Sequence, residues 1–140
     1  MGNSISTQKV NFEDVQYAIK HNDSHVLINT LGENEQKCLI SGSVLASQEE
    51  VLINKCLQNG TKSIKIIIYG MNSNDEKIHT KCAQLNSLGF YSVYLYTGGL
   101  FEWLLLQDIY GNQEFPTTKK ELDLLKYKSN KVLNVPLIEY

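Results

Sequence analysis

The sequence predicts an α/β fold in which parallel strands lie between helices on both faces of one sheet. Two patterns carry that prediction: short apolar runs of strand length alternate with stretches of helical periodicity, and short polar loops join them. Size agrees, because 140 residues, 42% of them hydrophobic, suit a single domain that buries roughly 70% of its unfolded surface.

Taken in order, residues 1–10 are polar and read as a flexible arm. Asn11 is a plausible helix cap with Asp14 three residues on, and Phe12, Val15, Ala18 and Ile19 recur at helical spacing. His21-Asn22-Asp23 stops that helix. His25 to Asn29 (HVLIN) is a first strand, and a second short apolar run covers Val44 to Ala46. Glu49 to Gln58 reads as a helix closed by Asn59-Gly60. Ile64 to Tyr69 (IKIIIY) is the most strand-like stretch of the chain. The polar loop Gly70 to Asp75 leads into a helix with Ile78, Cys82 and Leu85 on one face, ended by Gly89. Ser92 to Tyr96 is another strand, followed by Gly98-Gly99 and an apolar helix from Leu100 to Asp108. Beyond Gly111 the pattern loosens. Lys119 to Lys126 reads as a short helix and Asn134 to Tyr140 as extended, so this tail is either a last packed element or a partner-binding arm.

Composition excludes several classes. A net charge of -2 gives no electrostatic reason to bind nucleic acid. Three cysteines at 38, 56 and 82 form no disulfide framework and point to a reducing compartment. No apolar run approaches the roughly 20 residues of a membrane span, and the polar start does not read as a secretory signal. All 13 basic residues are lysine, so a mechanism needing a two-point guanidinium clamp is closed to this chain.

Three stretches together resemble the rhodanese-like domain, a family of sulfurtransferases that also includes modified phosphatases. They are residues 26–47, with Ile40, Gly42 and Ser43; residues 66–90, around the Gly70 to Asp75 loop; and residues 93–103, with Gly98, Gly99 and Trp103. The resemblance implies a three-layer α/β/α domain over residues 11–111, with a central, mostly parallel sheet of about five strands and a C-terminal extension at 112–140. Gly42, Gly98, Gly99 and Trp103 fall on the family's structural positions.

The departures bear on function. An active family member ends its central strand with a cysteine that opens a loop cradling the persulfide; here that position is Gly70, and the loop reads Met71, Asn72, Ser73, Asn74, Asp75. The family's loop-closing arginine falls on Asp75, and its Asp-Val-Arg turn on Asn29, Thr30 and Leu31. A loop of backbone amides at a helix start is an anion site, and a transferable sulfur needs a thiolate within it. Asp75 and Glu76 instead bring carboxylates that suit the helix start, worth about 0.3–1 kcal/mol, and repel an incoming anion. The expectation is a domain without catalytic residues. Cys38 and Cys82 are the alternative thiols for an unconventional sulfurtransferase or redox enzyme; all three cysteines read as core, Cys38 the least clearly so. No spacing of His21, His25 or His79 with the cysteines suggests a metal, and no cofactor is expected.

The start, Met1-Gly2 with Ser6, fits an N-myristoylation signal at Gly2. One such chain binds membranes only marginally, so Lys119, Lys120, Lys126, Lys128 and Lys131, or a protein partner, are the candidate second anchor. The combined expectation is a pseudoenzyme acting as a cytoplasmic scaffold on the cytosolic face of a membrane, peripherally held, not secreted, with an unidentified protein partner.

Overall fold

The computed structural model describes residues 7–133. Five strands form one sheet in the order β1-β5-β4-β2-β3: β1 (Gln8–Val10), β2 (His25–Asn29), β3 (Ser43–Val44), β4 (Lys65–Tyr69) and β5 (Val93–Tyr96). Every pairing is parallel. Four helices cover it: α1 (Phe12–Lys20), α2 (Ala46–Asn59), α3 (Lys77–Ser87) and α4 (Gly99–Tyr110).

The continuous apolar strands follow from burial on both faces. In β4, Ile67 and Tyr69 join one core layer with Val15 and Ala18 of α1 and Leu100, Trp103 and Leu104 of α4. Ile66 and Ile68 point the other way, to Ile53 and Cys56 of α2 and to Ile78, Cys82 and Leu85 of α3. Alternation of a strand's side chains thus divides the core into two layers. Asn11 caps α1 as expected: its side chain accepts from the Glu13 and Asp14 amides, while Asp14 accepts from the Asn11 amide at 3.0 Å. Gly60 ends α2 with φ +69, the left-handed cap that glycine takes without penalty.

Three expectations are corrected, and for residues 112–127 one of the two alternatives is selected. The arm does not run to residue 10, because Gln8–Val10 is an edge strand paired with Tyr94–Tyr96; its polar sequence shows no apolar run since one side of it has no neighbouring strand. The helix α2 begins at Ala46 rather than Glu49. No local residue caps it; Gln36 Oε1 accepts the Ala46 amide at 3.0 Å, a cap supplied from ten residues away in the chain. The expected helix at Lys119 to Lys126 is a single 3-10 turn, Leu124–Tyr127. The extension from 112 is packed against the domain through residue 127: Phe115 and Tyr127 are buried with α4, and residues 116–118 run antiparallel to 39–41 around an Ile40–Thr117 bridge. Trp103 Nε1 donates to the Pro116 carbonyl and Gln107 Nε2 to that of Phe115, so buried donors of α4 find their acceptors in this segment. Gly2 and the extended stretch Asn134 to Tyr140 lie outside the described residues.

Candidate functional site

The sheet's parallel order brings the ends of β2, β4 and β5 to one edge, where an open α/β sheet places its site. Tyr69 ends β4, and the Gly70 to Asp75 loop follows. It is fastened on both sides: Gly70 and Met71 carbonyls accept from the Leu100 and Phe101 amides, each at 2.9 Å. Gly99, with φ +70, sits so close that a Cβ there would lie 2.9 Å from the Asn72 nitrogen and the Gly70 oxygen. Only glycine fits that contact and that conformation.

The Asp75 carboxylate turns back into the loop. Its Oδ2 accepts from the Met71 amide at 3.0 Å and from the Thr30 hydroxyl at 3.2 Å, and its Oδ1 accepts from the Lys77 amide at 3.0 Å. A Cβ on Gly70 would overlap this carboxylate. The loop therefore holds an internal anion, and two of the backbone donors available to an external one are already taken. Glu76, by contrast, makes no side-chain cap on α3. Asn72 is buried; its Nδ2 donates to the Tyr127 carbonyl at 2.8 Å and its Oδ1 accepts from the Asn74 amide. Ser73 is exposed.

Neighbouring positions are rigidly satisfied. Asn29 is buried and bonds Gln36, the Val44 carbonyl and the Leu31 amide. Tyr69 places its hydroxyl 2.6 Å from Ser43 Oγ and accepts from the Ile40 amide, which ties the Ile40–Gly42–Ser43 segment to the strand that carries the loop. Gly42, at φ +87, makes the turn. Burial pushes the Tyr69 phenol well up, as it does Tyr96, where the Glu102 carboxylate adds to the effect. Trp103 is fully buried, edge-on to Tyr96 and Phe115. Of these, Tyr69, Gln36 and Tyr127 were not signalled as site residues by sequence. Tyr69 had only its place before the loop as a clue.

The thiols lie elsewhere. All three are buried, including Cys38, the one whose burial was least clear from sequence: the Lys119 carbonyl covers it, accepting from its thiol at 3.2 Å. Burial first, and then Glu121, push the Cys38 thiol up, away from the reactive thiolate. Cys82 is on the buried face of α3, in the opposite core layer from Cys38. Among the described residues no three His, Cys, Asp or Glu side chains gather as a metal site.

Two clefts lie near this edge of the sheet. One of about 720 Å³ runs between α2 and α3 beside Asn29 and Thr30, crossed by the Lys81–Glu49 ion pair at 2.6 Å. The smaller, about 360 Å³, lies between the loop and residues 128–132.

A family model described as the rhodanese-like domain matches residues 12–106. The chain belongs to this family. Among solved structures, this rhodanese-like chain is similar to a yeast protein tyrosine phosphatase of the rhodanese family, Ygr203w, with 15% identity, 86% of this chain and 99% of that one covered, and a TM-score of 0.62. The rhodanese-like domain of the Alr3790 protein from Anabaena sp. matches at 19% identity over 96% of both chains, with a TM-score of 0.58. A thiosulfate sulfurtransferase from Pseudomonas aeruginosa matches at 19% identity and a TM-score of 0.54, over 71% of this chain but 19% of that larger one. No curated protein sequence matches the chain. These similarities establish the shared fold. The five-stranded sheet with helices on both faces agrees with the expected three-layer architecture, and its strand pairing is parallel throughout.

Proposed function

We propose that this rhodanese-like domain is a catalytically inactive binding or scaffold module, held on the cytosolic face of a membrane through a myristoylated Gly2. The observation that carries the first half is the Asp75 carboxylate bonded to the Met71 and Lys77 amides, in the space a side chain at Gly70 would need. A sulfur or phosphoryl group carried in such a loop is an anion that needs those amides, and a side chain to bear it. Support for the second half is the Met1-Gly2…Ser6 pattern. The scaffold's protein partner is unidentified; the cleft between α2 and α3 is the concave surface it offers.

Sulfur transfer from thiosulfate to cyanide tests inactivity: no turnover is expected. Turnover lost on replacing Cys38 or Cys82, with a persulfide on that residue, would establish the thiol enzyme instead; burial of both thiols counts against it. Metabolic labelling with a clickable myristate analogue tests the tether. Label and membrane fractionation should vanish together in Gly2→Ala, and an unlabelled wild-type chain would remove the tether from the reading.

A further inference from the structure

The segment from Lys119 to Leu133 is pinned to the domain through two of its apolar side chains, yet turns four others outward. In the 3-10 turn Leu124–Tyr127, side chains three apart share a side. Tyr127 is buried against α4, with Leu124 packed beside it, and the Tyr127 carbonyl is held by Asn72. Leu122 and Leu125 are therefore on the outer side, 83% and 63% exposed, and Val132 and Leu133 follow at 83% and 80%. Three of these four are the most exposed large hydrophobics among the described residues. Around them stand five exposed lysines, Lys119, Lys120, Lys126, Lys128 and Lys131, against Glu121 and Asp123 of the segment and Glu35, which faces Lys126 from the preceding 3-10 turn. Glu121 engages Lys126 at 3.1 Å, so four lysines carry no ion pair among the described residues. A positive segment on a chain of net charge -2 has polarity of its own.

We propose that residues 119–133 form an interfacial membrane-binding surface that takes an anionic bilayer, with the leucines entering the headgroup boundary and the lysines meeting lipid phosphates and carboxylates. Exposed apolar side chains flanked by lysine are the pattern that binds such an interface, and charge complementarity selects an acidic leaflet over a neutral one. The inference rests on the membrane-tether reading and supplies the second signal that a single myristoyl chain requires.

The test is co-sedimentation of the full chain, unacylated and after co-expression with an N-myristoyltransferase, with phosphatidylcholine vesicles that contain or lack phosphatidylserine. Phosphatidylserine should strengthen binding of both forms, and added salt should weaken it. Lys119→Gln/Lys120→Gln should lower partitioning about twenty-fivefold, from roughly fivefold per lysine. Leu122→Ser/Leu125→Ser should lower it by at least about tenfold, whereas Ile109→Ser, which removes an equally exposed side chain from α4, should leave it unchanged. Circular dichroism and the melting temperature confirm that each variant is folded. Binding unaltered in both segment variants, equal loss from Ile109→Ser, or no phosphatidylserine dependence in either form would overturn the proposal. So would a dimer, seen by sedimentation without lipid, that the leucine variant dissolves. Failure of acylation at Gly2 would instead strike the tether alone, since the unacylated chain reports on the segment by itself.

Discussion

Two turns meet at the same edge of the sheet, and each sets a carboxylate where a glycine has no side chain. After β4, Asp75 fills the space at Gly70; after β5, Glu102 fills the space at Gly98. Their partners differ. Asp75 takes the Met71 and Lys77 amides, whereas Glu102 takes the hydroxyl of Tyr96, at 2.5 Å. The first arrangement occupies two backbone donors of the loop; the second binds one side chain to another and leaves the turn's backbone contacts intact. Similar glycine–carboxylate packing thus has opposite consequences, because what matters is whose donors the carboxylate satisfies.

The largest effect should come from the glycine where the two turns touch. Gly99→Ala places a Cβ against Gly70 and Asn72 backbone at a positive φ, and should cost about 3 kcal/mol from strain and displaced backbone, measured by urea unfolding. Next is Gly70→Ala, which drives the Asp75 carboxylate off its amides and should cost about 2 kcal/mol. If the comparison is right, Asp75→Ala in the same chain abolishes most of that penalty, and a double-mutant cycle giving simple additivity would break it.

Alkaline pH gives a further separation. The phenols of Tyr69 and Tyr96 and the thiol of Cys38 are all raised by burial above their ordinary values of 10.0, 10.0 and 9.0. The folded state then holds protons that the unfolded state releases, so stability from these groups is fully present below about pH 9 and falls as pH rises from there. A urea midpoint that is flat from pH 7 to 9 and declines above it is the expected result, and Tyr96→Phe should blunt the decline. Smallest should be Gly98→Ala. Its Cβ meets only the far end of the Glu102 side chain, which can swing aside, and the backbone there is helical. The change in stability should stay within about 0.5 kcal/mol, and a loss as large as that of Gly70→Ala would erase the distinction between the turns.

Much of the fold was legible because its signals are local. HVLIN and IKIIIY are strands since a sheet buried on both faces needs unbroken apolar runs, and Asn11 with Asp14 announces α1 through contacts three residues apart. The remainder was hidden because its partners are distant. Gln8–Val10 is a strand only through β5, α2 starts three residues early only through Gln36, and residues 115–127 belong to the core only through α4 and the 39–41 stretch. Cys38 illustrates the same limit, since the Lys119 carbonyl that covers it lies 81 residues along the chain.

At the loop, the sequence determined the residue types, Gly70 at the end of the central strand and an acid, Asp75, at the start of the next helix, and the family resemblance led to the expectation that they stand where a cysteine and an arginine are usual. Residue identity is a local property, read position by position. Only the tertiary structure decided where the Asp75 carboxylate goes. Its direction depends on Thr30, brought alongside by the pairing of β2 with β4, and on Gly99, which lets the turn after β5 press against the loop. These are contacts between strands far apart in sequence, and no local periodicity encodes them.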